Sequence, residues 1–209
     1  FIYALLSVTL SVFPMEQLEP RVIKPEPGGQ TIYLGRWEYE VLFGGETGPG
    51  KTWSLAYDAL GLQYRSTLLS CAAYEVPQYR AVLFRRKSTE LDKLIDECRK
   101  LYTPLGFTYA GGRRGDPGPS FNAESGARIF CCHMKDEKNK YDHDGKEYQL
   151  EGFDEIQQFT ITQYLYLHSR LRSTVPYLTT RVRATAMPVG TGLIWTKKRF
   201  ITNITPCKT

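Results

Sequence analysis

Residues 45–52 read Gly-Glu-Thr-Gly-Pro-Gly-Lys-Thr and fit the pattern G-x-x-x-x-G-K-[ST]. No other stretch constrains the chain so tightly. Gly45, Gly48 and Gly50 let the backbone curl until consecutive N–H groups point inward at an anion. A helix starting directly afterwards turns its positive end toward the same charge. In such a loop Lys51 reaches phosphate oxygens and the Thr52 hydroxyl is placed to ligate Mg²⁺. The flanks match. Tyr39 to Phe43 (YEVLF) reads as a strand, and Trp53, Leu55, Ala56, Ala59 and Leu60 recur at helical spacing over 51–65. A Gly-rich turn with an incidental lysine is the bland alternative, and it leaves both flanks unexplained.

Further strands are predicted at Arg80 to Phe84 (RAVLF), 106–110, 127–132 and 180–185. Ser88 to Tyr102 has the spacing of an amphipathic helix, with Ser88 as cap and Leu91, Leu94, Ile95 and Cys98 on one face. A second helix is predicted over 160–172. The segment 20–29, rich in proline and glycine, reads as extended, 111–118 as a loop, and 134–146 as a mobile, charge-rich connection. Strands alternating with helices predict an α/β sandwich around a largely parallel sheet.

Composition narrows the class without naming a function. The chain has 209 residues, 42% apolar and 23% charged, which suits one large domain and excludes disordered, collagen-like and coiled-coil chains. Lys plus Arg is 27 against 22 for Asp plus Glu, a net charge of +5 that permits a nucleic-acid partner without requiring one. The 5 cysteines include no C-x-x-C pair. Cys131-Cys132-His133 resembles a metal cluster only in order, because neighbours in a strand point to opposite faces. Buried thiols in a reducing compartment are expected. Phe1 to Pro14 is apolar but too short to span a bilayer and lacks the basic flank of a signal peptide. Residues 1–23 are therefore expected to be an arm or a cropped segment.

A phosphate-cleaving site also needs an acid to hold the metal and a second to orient water. Asp154-Glu155 is the best pair available. The stretch before it, Tyr148 to Phe153, is a poor strand for a buried parallel sheet, because Glu151 and Gly152 weaken it. Taken alone, the pair reads equally well as a cap before Ile156.

Together these stretches resemble, in order, the ATPase domain of a tailed-bacteriophage terminase large subunit. Pro25-Glu26-Pro27-Gly28-Gly29-Gln30-Thr31 is similar to that family's first motif, and Val41-Leu42-Phe43-Gly44-Gly45 leads into the loop as it does there. Leu83-Phe84-Arg85-Arg86 followed by Glu90-Leu91 resembles the next strand-to-helix step. The stretch from Lys146 to Glu155 resembles the acidic motif, and Gln163-Tyr164 with Ser169-Arg170-Leu171-Arg172 the helix after it. Arg183-Ala184-Thr185-Ala186-Met187-Pro188 resembles the coupling motif, and the stretch from Trp195 to Ile201 the exit. Two positions depart: Thr47 stands where the family often has arginine, and Met187 where it has asparagine.

The resemblance implies a P-loop NTPase fold of the ASCE, RecA-like kind, a three-layer sandwich with a central, mostly parallel sheet. It implies ATP and Mg²⁺ as cofactors. Gln30, Gly45, Glu46, Thr47, Gly48, Pro49, Gly50, Lys51 and Thr52 would bind the nucleotide. Thr52 and Asp154 would hold the metal, and Lys51, Glu155 and Thr185 would be catalytic. The ATPase domain is expected over 24–201, with 202–209 starting a linker to a nuclease domain. Double-stranded DNA, the portal protein and the small terminase subunit are the implied partners, with a homo-oligomeric ring at the procapsid portal in the host cytoplasm and no membrane. An arginine from a neighbouring subunit often completes such sites, and Arg85, Arg86, Arg113, Arg114, Arg170 and Arg172 are all candidates. Two other readings stand beside this one: a nucleotide-binding remnant acting as an assembly module, and another P-loop enzyme such as a kinase.

Overall fold

The computed structural model describes residues 23–46, 48, 50–66 and 71–202. Helix α1 (Gly29–Leu34) precedes strand β1 (Glu40–Gly44), and α2 (Lys51–Asp58) follows the glycine loop. Next come β2 (Arg80–Arg85), α3 (Ser88–Tyr102), β3 (Thr108–Ala110), β4 (Ser120–Asn122) and β5 (Arg128–His133). The chain continues through β6 (Leu150–Phe153), α4 (Ile161–His168), β7 (Arg181–Ala186) and α5 (Leu193–Lys197). The strands form one 7-stranded sheet in the order β1-β7-β6-β2-β5-β4-β3. Neighbours from β1 to β5 are parallel, and β4 and β3 add an antiparallel ribbon at the far edge. The predicted α/β sheet is therefore present.

Parallel strands covered on both faces read as continuous apolar runs. On β2, Ala81 and Leu83 join one core with Leu55 of α2 and Leu94, Ile95 and Cys98 of α3. Val82 and Phe84 join the opposite core with Tyr164 and Leu167 of α4. On β5, Cys131 and Cys132 divide in the same way, each a buried free thiol as expected. Cys71 is half-buried, and Cys207 lies outside the described residues.

Several expectations need correction. The first long helix stops at Asp58, and a 3-10 turn over Leu62–Ser66 replaces its predicted second half. The second stops at His168, where the chain leaves to bridge Leu171 to Tyr148. Residues 134–146 are no loose connection. They contain a 3-10 turn, Glu137–His143, whose His143 is buried with Nδ1 2.8 Å from the Tyr148 hydroxyl. The Thr162 hydroxyl of α4 donates to the Glu137 carboxylate at 2.9 Å, pinning the turn to the helix. Strand β4 went unpredicted because three residues carry too little period to read.

The largest correction concerns β6, which lies in the middle of the sheet between β2 and β7 despite Glu151 and Gly152. Gly152 has a steric reason: Leu83 and Leu55 occupy the space that a Cβ would fill. Its missing side chain lets α2 lie close against β6. Glu151 faces the other way, is 0% exposed, and neither carboxylate oxygen finds a hydrogen bond. Burial pushes its carboxyl well above the usual range, and the Arg170 guanidinium offsets this only in part.

Two outcomes follow. Gly152→Ala overpacks the α2–β6 contact and should cost about 1–3 kcal/mol in urea unfolding. Glu151 holds its proton more tightly in the folded chain, so its contribution is fully present at low pH and is lost as pH rises from about 4.3 toward the raised folded value. Glu151→Leu should flatten that decline in unfolding free energy measured across the acid-to-neutral range.

Candidate functional site

The carboxyl ends of the parallel strands share one edge. There β1 runs into the glycine loop, β6 delivers Asp154 and Glu155, β7 delivers Thr185, and β2 delivers Arg85. Because β7 separates β1 from β6, the loop strand and the acidic strand lie about 10 Å apart. That spacing leaves room for phosphate groups between them.

Gly50 caps α2 with φ 66°, in the left-handed region that favours glycine. The Gln30 amide fills the place where its Cβ would stand, so α1 presses on the loop. Gln30 Oε1 also accepts from the Glu26 N–H at 3.0 Å. Lys51 Nζ donates to the Gly45 carbonyl at 2.9 Å and to that of Glu46. Burial lowers the Lys51 pKa, and Asp154 and Glu155 oppose the shift. Thr47 and Pro49 lie outside the described residues.

Asp154 is 1% exposed. Thr52 Oγ1 donates to its Oδ2 at 3.0 Å, and Thr185 Oγ1 donates to its Oδ1 at 2.6 Å. The Thr185 oxygen in turn accepts the Glu155 N–H at 3.0 Å. Arg85 stands across both acids, with Nε 2.9 Å from Asp154 Oδ2 and Nη1 2.9 Å from Glu155 Oε1. The Nε–H is not aligned on the carboxylate, so that contact is an ion pair rather than a directed hydrogen bond. Burial raises the Asp154 pKa, while Arg85 and the two threonine hydroxyls pull it back.

Glu155 adopts φ 60°, ψ 56°, a left-handed conformation that costs a non-glycine residue about 1–3 kcal/mol. Thr185 holds its backbone there, and Gln158 Nε2 donates to its carboxylate. Strain of this kind, at a conformation fixed by neighbours, turns the Glu155 side chain toward a cleft of about 540 Å³. Gly48, Lys51, Thr52, Arg85 and Met187 line the same cleft. A larger hollow of about 930 Å³ beside β1 contains neither acid, nor Lys51, nor Arg85.

The donor set fits Mg²⁺. A hydroxyl and a carboxylate meet beside a loop shaped for phosphate, and Mg²⁺ is usually held by one or two carboxylates plus substrate phosphates. Among the described residues no group of three or more His, Cys, Asp or Glu forms a metal cage.

The structure thus brings Lys51, Thr52, Asp154, Glu155 and Thr185 together and places Gln30 against the loop. It also separates the six arginines. Arg85 belongs to this site, Arg86 donates to Gln163 Oε1 at 2.8 Å, Arg170 pairs with Asp144 at 3.3 Å, and Arg172 with Glu147 at 3.2 Å. Arg113 and Arg114 are exposed in the β3–β4 loop. The usable signal for Arg85 was its position at the carboxyl end of a strand, but it became informative only once β2 was known to adjoin β6.

Glycine loop, intervening strand and acidic pair are arranged on the mostly parallel sheet as in a P-loop NTPase fold. Among solved structures, the chain is similar to the large terminase of a thermophilic bacteriophage in complex with ADP, with TM-score 0.55, 13% identity, and 84% of this chain and 42% of that one covered. It is also similar to the large terminase of bacteriophage HK97, with TM-score 0.54, 8% identity, and 84% and 36% covered. The chain spans about two-fifths of the length of these structures. At this identity the likeness establishes a shared fold. No protein-family model and no curated protein matches the sequence.

Thr185→Val keeps the shape and removes both bonds of the hydroxyl, leaving the buried Asp154 and the Glu155 N–H each short of a partner. It should destabilise the chain by about 1–3 kcal/mol in denaturant unfolding.

Proposed function

We propose that this chain is the ATP-hydrolysing motor domain of a tailed-phage terminase large subunit, which drives double-stranded DNA into a procapsid. One observation carries the reading: Thr52 and Asp154, 102 positions apart in sequence, meet at 3.0 Å beside Lys51, Thr185 and Glu155. The order of the sequence motifs supports it, as does the fold shared with the two terminases.

The loop amides and Lys51 hold the phosphates, and Gln30 lies beside Gly50 where it can read the adenine. Thr52 and Asp154 would hold Mg²⁺, which would supply positive charge to neutralise the phosphates. Glu155 orients the attacking water and takes its proton. Thr185 bonds to Asp154 and to the Glu155 N–H together, so a change at either acid reaches β7.

Residues 24–201 form the ATPase domain in this reading. Nuclease activity is not assigned to these residues. Portal protein, small terminase subunit and further copies in a ring are the partners, at the procapsid in the host cytoplasm. The charge of +5 suits contact with DNA. No helix among the described residues is long and apolar enough to cross a membrane.

Phosphate release from ATP, with and without double-stranded DNA, tests the reading. Glu155→Gln should lower kcat about a hundredfold or more, with the affinity for a fluorescent ATP analogue retained. Lys51→Ala should lose the affinity itself. Unchanged turnover in a Glu155→Gln variant that still binds nucleotide would remove Glu155 from the chemistry. Binding without turnover in the native chain, with DNA present, would favour the assembly-module reading. Transfer to a small acceptor would favour a kinase.

A further inference from the structure

The acidic turn is bonded to the segment that leaves the site. A 3-10 turn, Ile156–Gln158, follows Glu155 directly. Gln157 at its centre is polar yet only 2% exposed. Its Oε1 accepts from the Met187 N–H at 3.2 Å, and its backbone oxygen accepts from the Gly192 N–H at 2.7 Å. One residue therefore grips both ends of 187–192, the connection from β7 to α5. Gly192 is pressed onto the turn, where a Cβ would meet the Gln157 carbonyl oxygen at 2.6 Å and that of Phe159 at 2.8 Å. From α5, Trp195 Nε1 donates to the Phe159 carbonyl at 3.0 Å, closing the unit.

The other side of the turn is the cleft. Glu155 contacts Arg85 and Thr185, and Met187 lines the cleft with Lys51. A methionine side chain has only a weak acceptor to offer. The polar link at position 187 therefore runs through its backbone N–H to Gln157.

We propose that Gln157 is a positioning residue, holding the Glu155 turn against the β7–α5 connection so that a change at the cleft moves α5. This rests on the nucleotide-binding reading of the same cleft. The chain has three tryptophans, Trp37, Trp53 and Trp195. Trp37→Phe with Trp53→Phe leaves Trp195 as the sole reporter on α5. In that background, Mg²⁺ with ADP, and separately Mg²⁺ with a non-hydrolysable ATP analogue, should change the Trp195 emission. Gln157→Met, similar in length but without the amide acceptor, should abolish the change and lower kcat about tenfold, the scale of one hydrogen bond. Nucleotide Kd should move less than about twofold, since the phosphate loop is untouched. Gln157→Glu keeps the acceptor oxygen and should restore the Trp195 response. Gly192→Ala, which wedges the connection off the turn, gives a second route to the same loss. A folded Gln157→Met chain that keeps both the Trp195 response and kcat overturns the proposal. So does the Trp37→Phe, Trp53→Phe chain with Gln157 intact if it binds nucleotide while Trp195 stays silent. A native chain that binds no nucleotide overturns the reading of the cleft, and this proposal with it.

Discussion

The carboxylate of Asp154 is where the edge of the sheet converges. Burying an ionised group is costly unless charge and hydrogen bonds replace its water. Here the replacements come from three other elements: Arg85 at the end of β2, Thr52 in the first turn of α2, and Thr185 near the end of β7. Removing one partner from a buried ion pair of this kind typically costs about 3–5 kcal/mol, because the remaining charge is stranded. The register of β2, β6 and β7, and the seat of α2, are thereby linked to one side chain. The strained backbone of Glu155 depends on the same arrangement, since Thr185 holds Asp154 and the Glu155 N–H with a single hydroxyl.

The sheet beneath meets the demand in an unequal way. On one face Gly152 gives up its side chain so that α2 can approach β6 closely enough for Thr52 to reach Asp154. A second tie, from Arg183 of β7 to Asp58 at 2.5 Å, fixes the far end of α2. On the other face Glu151 remains as a buried acid with no hydrogen bond. A core of aromatic rings covers that face, with Phe84, Phe159 and Tyr164 each packed against Phe153. The site is thus held by packing on one side and burdened by a polar group on the other.

Legibility in the sequence followed the length and purity of each pattern. Strand β2 was readable because both faces are buried and every residue is apolar between its terminal arginines. Helix α3, 15 residues long, was readable because its apolar stripe runs from Leu91 to Tyr102 behind charged positions. Strand β6 read as doubtful because rules for strand composition see Glu151 and Gly152 as defects, whereas the packing of α2 makes the glycine necessary. The 134–146 segment read as loose because its charges dominate, while its buried contacts through Met134 and His143 are few and scattered. The position of Arg85 at the end of a strand was legible but not decisive, and Gln157 carried no local signal. An arginine after an apolar strand and a glutamine after an acidic pair are ordinary residues until their neighbours are known.

What the sequence determined by itself is the glycine loop with its lysine and threonine, together with the alternation of strands and helices. Both depend on backbone conformations and periodicities set by adjacent residues. Only the tertiary structure decided that β7 separates the loop from the acidic pair, that Arg85 was the arginine to join them, and that Gln157 bonds the acidic turn to α5. Those are contacts between segments tens of residues apart, and their energies arise from burial and charge pairing that no local window of sequence contains.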